Sequence, residues 1–516
     1  MSMRRILEWY HPLDKNKLAY IIPSLVIFII CLWTTLNYKW PLGWDIFYHI
    51  HLAQIYMSKG FTFFDPLYNV PGGRLINYPP LFHLLLAFFS LISGWSPFEI
   101  ARIMQPFFAA FIVLSITIIG ARFYNRLAGV FAGILLISAF IATRIILPLP
   151  ENMALIFLPV SIYFYYKSIK IPRLKFACAS GALMGIIALI HPAATLCLFI
   201  SITFITFSLL VAALKGGINL KTVISDYGIF ILTGFIIASV WWLPSLYLKS
   251  LGASGGVATA LPISVRTSIL NYPKALGYLV CGFAIIGLAR AHKGFGLRDL
   301  FIISWIFSMF LLSKAYYFGI NVISYRVLIY ILLPLSILAG SGLEFAFRAF
   351  REMNKSAASV FLILIFSFSL FQGVANFSSS KIADFGVLTA YGKVSIAPPT
   401  EGEVELAEWF EEEADKPKVA SFSNYYTGIF IMAYSRQPVN PLLEHSQGIP
   451  REDELRKDSI GYLVYDKRLR MYDNLPFACS KNLLYYNPNM VNLSDLGCDY
   501  LEKVYENEEF VVYAVI

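Results

Sequence analysis

Between residues 18 and 375 the chain is a succession of apolar runs, each close to the about 20 residues a helix needs to cross hydrocarbon. They fall at roughly 18–36, 98–120, 127–146, 152–168, 174–190, 193–213, 228–244, 274–290, 299–313, 324–343 and 357–375, about 11 candidate transmembrane helices. Such a chain is a polytopic membrane protein. Composition agrees, with 58% of the 516 residues hydrophobic, 14% charged and a mean hydropathy of +0.64. Soluble domains run near 45–50% apolar and about 25% charged. A soluble enzyme, a disordered chain and a disulfide scaffold are therefore excluded. The residues before the first run are polar, and that run is too long for a cleavable leader, so no signal peptide is expected.

The net charge of +9 does not point to nucleic acid, because the basic residues sit in short loops between the runs. Arg4, Arg5, Lys15 and Lys17 precede the first run, and Arg122 and Arg126 separate the second and third. Lys167, Lys170, Arg173 and Lys175 follow the fourth, and Lys215 and Lys221 the sixth. Arg290, Lys293 and Arg298 follow the eighth, and Arg348, Arg351 and Lys355 the tenth. Every second loop is thus basic, which places the N-terminus in the cytoplasm and the remaining loops outside.

Four outer pieces follow from that alternation: a long loop at 37–97, a short one at Pro148–Asn152, a Gly/Ala/Ser-rich one at 245–272, and the tail. The expected organisation is an all-α polytopic membrane domain over 1–375 and a small C-terminal extracytoplasmic α/β domain over 376–516. In the tail, Glu401–Glu413 reads as a helix with Val404, Ala407 and Phe410 on one face. Lys418–Phe422, Gly461–Tyr465 and Phe510–Ile516 have strand composition. Cys479 and Cys498 could pair in an oxidising compartment. Asn376-Phe377-Ser378 and Asn492-Leu493-Ser494 are glycosylation sequons.

Polar residues that interrupt apolar surroundings are the candidates for chemistry. Asp45 lies just past the first run, and a carboxylate there is costly unless it meets a cation, a proton or a ligand. His49 is four residues on and shares its helical face; ordinary capping is the competing reading. Glu151 opens an apolar helix, where the helix dipole alone favours an acid. It could also join Asp45 across an outer cavity, and two carboxylates suit Mg²⁺ or Mn²⁺. A bound cation offsets charge on a departing phosphate, or one carboxylate acts as base on an acceptor hydroxyl. His191-Pro192 reads as a turn between helices. Arg326 lies in the apolar run Val322–Leu335, where an arginine snorkels or meets an anion such as a lipid phosphate. Gly-rich phosphate loops and CxxC, HExxH or GxSxG motifs are absent.

Asp45 after the first helix, the box Gly72-Gly73-Arg74 through Tyr78-Pro79-Pro80-Leu81-Phe82-His83, and Glu151 together resemble the GT-C superfamily. The resemblance is to the catalytic subunit of oligosaccharyltransferase, particularly its archaeal single-chain form. It covers most of the first 160 residues, with echoes at Tyr325-Arg326 through Gly340 and at Ser423-Asn424-Tyr425-Tyr426-Thr427-Gly428. It implies a membrane glycosyltransferase that uses a polyprenyl-phosphate-linked sugar and inverts the anomeric carbon. Asp45 and Glu151 become the catalytic or metal-binding acids. His83 and Arg326 face the lipid phosphate, and Arg74, Tyr78, His49 and His191 complete the substrate-binding set. The sequence departs in two places: Asn152 stands where a second acid is expected, and the tail has no Trp-Trp-Asp motif. The acceptor is accordingly read as a lipid, glycan or polymer hydroxyl in a prokaryotic plasma membrane. Oligosaccharyltransferase-type transfer to protein, a non-catalytic scaffold and a lipid-linked sugar transporter are the alternatives.

Overall fold

The computed structural model describes residues 18–251, 266–320, 322–378, 399–414, 418–445, 449–467 and 498–516. The N-terminal basic residues, most of the 245–272 loop, the Asn492 sequon and Cys479, with its pairing to Cys498, lie outside the described residues. The chain divides into two compact units, of Met1–Asn37, Ile103–Ala238 and Arg266–Ser395, and of Tyr38–Arg102, Ser239–Val265 and Ile396–Ile516.

The chain begins with α1 (Ile22–Leu36) of the first unit. The second unit then contributes α2 (Asp45–Lys59), a two-stranded hairpin β1 (Phe64–Asp65) and β2 (Arg74–Leu75), and α3 (Leu81–Ser93). Gly73 sits at φ +69 with the Phe64 ring against its Cα, a place no side chain can occupy. The Gly-Gly-Arg box therefore meets a local requirement of the turn.

Helices then follow one another: α4 (Pro97–Phe123), α5 (Arg126–Ser138), a 3-10 segment (Phe140–Ile146), α6 (Pro150–Lys170), α7 (Leu174–Ala188), α8 (Pro192–Leu214) and α9 (Leu220–Ser250). After these come α10 (Tyr272–Leu276), α11 (Tyr278–Lys293), α12 (Leu297–Ser313), α13 (Ser324–Met353) and α14 (Lys355–Phe377). Their starts have local causes. Asn125 caps α5 and Asn354 caps α14, while Pro150 and Pro192 open α6 and α8, where a missing N–H costs nothing.

Five helices (α4, α8, α9, α13 and α14) are long and apolar enough to cross a membrane, and counting two bent pairs as spans gives up to seven among the described residues. Together with the fold described below, they make this a multi-pass membrane protein. The runs at 127–146 and 274–290 are not straight spans. The first bends by 92° at Ala139, the second by 102° at Gly277.

In the first unit α13 is buried over most of its length and packs on α5 and α11. Gly340 and Gly342 permit this, lying against the backbone of Ala128 and of Phe283, where a Cβ would collide. Helix α14 instead exposes Ile363, Leu364, Phe368 and Phe371, as a lipid-facing helix does.

The tail forms α15 (Glu401–Glu412), β3 (Val419–Phe422), α16 (Tyr425–Ser435), β4 (Val439–Asn440), α17 (Leu442–His445), α18 (Glu452–Lys457), β5 (Ile460–Asp466), β6 (Leu501–Glu506) and β7 (Phe510–Val515). The expected helix and three strands are all present. The helix buries Leu406 more deeply than Val404. The sheet runs β4-β3-β5-β7-β6, parallel on one side of β5 and antiparallel on the other.

The segment Tyr38–Arg102 is built into the same unit as this sheet. Val439 donates to the Leu67 carbonyl at 2.7 Å, and Val70 donates to the Val439 carbonyl at 3.2 Å. Residues 67–70 thus cover the β4 edge, which would otherwise present unpaired backbone. Helix α2 packs on α16: Phe430 meets the Trp40 and Phe47 rings at 5.6 and 5.0 Å, and Trp44 meets Tyr426 at 5.6 Å.

Candidate functional site

In the second unit the candidates lie on α2, α3 and the hairpin. Asp45 is the first residue of α2, half-buried, in the turn where the dipole favours a carboxylate. One turn on, His49 Nδ1 meets His83 Nε2 at 2.8 Å, with the rings stacked and Tyr78 edge-on to His49 at 4.8 Å. So the structure joins His49, Tyr78 and His83. Burial pushes the His83 imidazole down to about 3, so it is neutral at ordinary pH. Its Nδ1 is buried without a hydrogen-bond partner among the described residues.

Arg74 lies over the Tyr68 ring at 4.9 Å. A second buried pair, which the sequence reading missed, is His51 Nε2 to Asp65 Oδ2 at 2.9 Å. Burial acts to raise Asp65, but His51 and the backbone N–H groups of Leu67 and Tyr68 hold it below the usual carboxylate range.

The first unit gathers Glu151, His191 and Arg326. Glu151 is in the first turn of α6, His191 caps α8, and Arg326 is in the first turn of α13. His191 and Arg326 both lie within electrostatic reach of the Glu151 carboxylate. His191 Nδ1 accepts the Ala194 N–H at 3.0 Å, which leaves Nε2 as the protonated donor of a neutral ring. Arg326 is a cation at the positive end of a helix dipole, a placement that favours an anion nearby.

Two residues absent from the sequence reading complete the group. Arg144 Nη2 donates to Glu151 Oε2 at 2.7 Å, and the Tyr330 hydroxyl donates to Oε1 at 3.1 Å. Asn152 Nδ2 donates to the carbonyls of Arg144 and Leu147 at 2.7 and 2.6 Å, which fixes the segment carrying Arg144. Three helix N-termini and two guanidinium groups against one carboxylate make a cradle for an anion. A divalent cation does not fit well at Glu151, because the carboxylate charge is already met by the Arg144 guanidinium and a further cation would face the positive charges of Arg144 and Arg326. Among the described residues there is no group of three His, Cys, Asp or Glu side chains that could hold a metal.

A bundle of apolar helices, with a long loop opening on an acid and a small mixed sheet, is the architecture of GT-C integral-membrane glycosyltransferases; the chain has that fold. It is similar to the archaeal oligosaccharyltransferase AglB from Archaeoglobus fulgidus, solved with an inhibitory peptide and a dolichol-phosphate (TM-score 0.66, 12% identity, 90% of this chain and 70% of that one). It is also similar to ArnT from Cupriavidus metallidurans bound to undecaprenyl phosphate (TM-score 0.58, 12% identity, 96% and 97%). By sequence, the dolichyl-phosphooligosaccharide-protein glycotransferase 1 of Archaeoglobus fulgidus is 33% identical over 78 residues, 15% of this chain and 13% of that protein. The namesake from Pyrococcus furiosus is 28% identical over 95 residues, 18% and 10%. These matches span only a small part of the curated relatives. No protein-family model matches the chain.

Proposed function

We propose that the protein is a membrane glycosyltransferase that moves a sugar from a polyprenyl-phosphate-linked donor to a hydroxyl of a lipid, glycan or polymer. The observation that carries this is the cradle of Arg144, His191 and Arg326 around Glu151, whose charge suits a phosphate, in a chain of GT-C fold. The acceptor oxygen attacks the anomeric carbon, the bond from that carbon to the phosphate oxygen breaks with inversion, and the polyprenyl phosphate departs. Asp45 takes the acceptor proton as general base, and Arg326 and His191 donate to the phosphate. By the alternation of basic loops, the N-terminus is cytoplasmic and the tail faces outward.

A hydroxyl acceptor is favoured over a protein acceptor by the tail. Asn424, the middle residue of the stretch Ser423-Asn424-Tyr425 that stands in place of a Trp-Trp-Asp motif, spends its side chain inside the fold. Its Oδ1 caps α16 through the Tyr426 N–H at 3.0 Å and its Nδ2 donates to Asp466 at 2.8 Å.

The test is transfer by the purified protein from a panel of radiolabelled polyprenyl-phosphate sugars, with and without EDTA. Product should form with the wild type, and Asp45→Asn should lower the rate by about 10²-fold or more while the protein still folds. An active Asp45→Asn variant refutes the base. Counterflow of labelled lipid-linked sugar without a new glycosidic bond refutes the enzyme.

A further inference from the structure

In the sequence, Glu151 reads as a ligand for a divalent cation; in the structure it has a resident cation. The side chains of Arg144 and Glu151 are both buried, at 2% and 10% exposure. Their contact is a charge-assisted hydrogen bond of 2.7 Å. Tyr330 takes the other oxygen. Asn152, at the position where a chelating acid is expected, instead ties the Arg144 and Leu147 carbonyls to the start of α6. The turn that would present a second carboxylate to a metal is thus used to fold a guanidinium back onto the first.

A hard dication needs about six oxygen ligands. Around Glu151 it would meet two oxygens that each already accept a hydrogen bond, and two positive side chains, Arg144 and Arg326.

We propose that Arg144 is a built-in replacement for the divalent cation at Glu151, so that this site binds phosphate esters without a metal. Arg144 is a positioning residue: it acts through Glu151, which it keeps ionised and neutralised in place. His191 and Arg326 lie within electrostatic reach of the same carboxylate. The inference rests on the transferase reading for its ligand, but its metal arm does not require turnover.

The test uses the full chain in detergent, with two readouts. Free Mn²⁺ is followed by EPR during titration, and binding of a polyprenyl phosphate is measured in EDTA. Wild-type protein should show no Mn²⁺ site that Glu151→Gln removes, and should bind polyprenyl phosphate equally with and without EDTA. Arg144→Lys should keep that binding; Arg144→Gln combined with Glu151→Gln, which strands no buried charge, should weaken it on the order of tenfold. A stoichiometric Mn²⁺ site lost in Glu151→Gln, or phosphate binding abolished by EDTA, overturns the proposal. The Mn²⁺ titration decides even where the double variant fails to fold. Metal-free polyprenyl-phosphate binding without sugar transfer upholds it while sinking the transferase.

Discussion

Asn152 shows how much one amide can hold. Its Nδ2 serves two carbonyls inside the first unit, those of Arg144 and Leu147, and the residue is 2% exposed. Asn152→Ala withdraws that amide from two buried carbonyls, which keep the N–H groups of Leu147 and Leu149, and should cost about 1 kcal/mol, read as a lower thermal midpoint. Tyr330→Phe withdraws a donor from a buried carboxylate oxygen and should cost about 1–3 kcal/mol, so it should be the more damaging of the two. Glu151, His191 and Arg326 are legible in the sequence because each is polar against an apolar background. Arg144 carries the same signal, as the only charged residue in 127–146. It goes unread because a straight span gives it no destination; the 92° bend at Ala139 supplies one. Tyr330 has no sequence signal, since a phenol within an apolar run reads as packing.

The helix pair α2 and α3 gives the second unit a pH response. Burial pushes His83 down from 6.5 to about 3. In that interval an unfolded chain binds a proton that the folded one refuses, so stability is full above 6.5 and falls as pH drops toward 3. Asp65 is held below its ordinary 3.8, so its contribution is full above that value and is lost as pH falls further below it. Urea unfolding followed by proteolysis of the 61–79 loop should therefore show a decline beginning near pH 6.5. In His83→Gln the decline should begin only near pH 4, where Asp65 starts to act; an unchanged curve would remove His83 as its source. The hairpin is a separate case. Gly73→Ala would put a Cβ into the Phe64 ring at a left-handed φ and should cost at least about 1 kcal/mol.

At the scale of the whole chain, the elements were legible and their grouping was not. Apolar runs have a period and a length, and strands have a composition, so the helices and three tail strands can be read directly. The grouping of Tyr38–Arg102 with Ile396–Ile516 depends on contacts between segments some 370 residues apart, such as Asn440 Nδ2 to the Val70 carbonyl at 2.6 Å. Pairing along a strand edge and ring contacts such as Trp40 to Phe430 leave no periodic trace in either segment. The tail is accordingly half of a compact unit whose other half lies near the N-terminus. Val439 tests this, because its N–H is the donor to Leu67. Val439→Pro removes that donor at an edge strand, where proline is otherwise tolerated. Limited proteolysis should then cut within 61–79 at protease levels that leave the wild type intact, while circular dichroism keeps its helical signal. A loop as resistant as the wild type would mean that the edge pairing does not hold it.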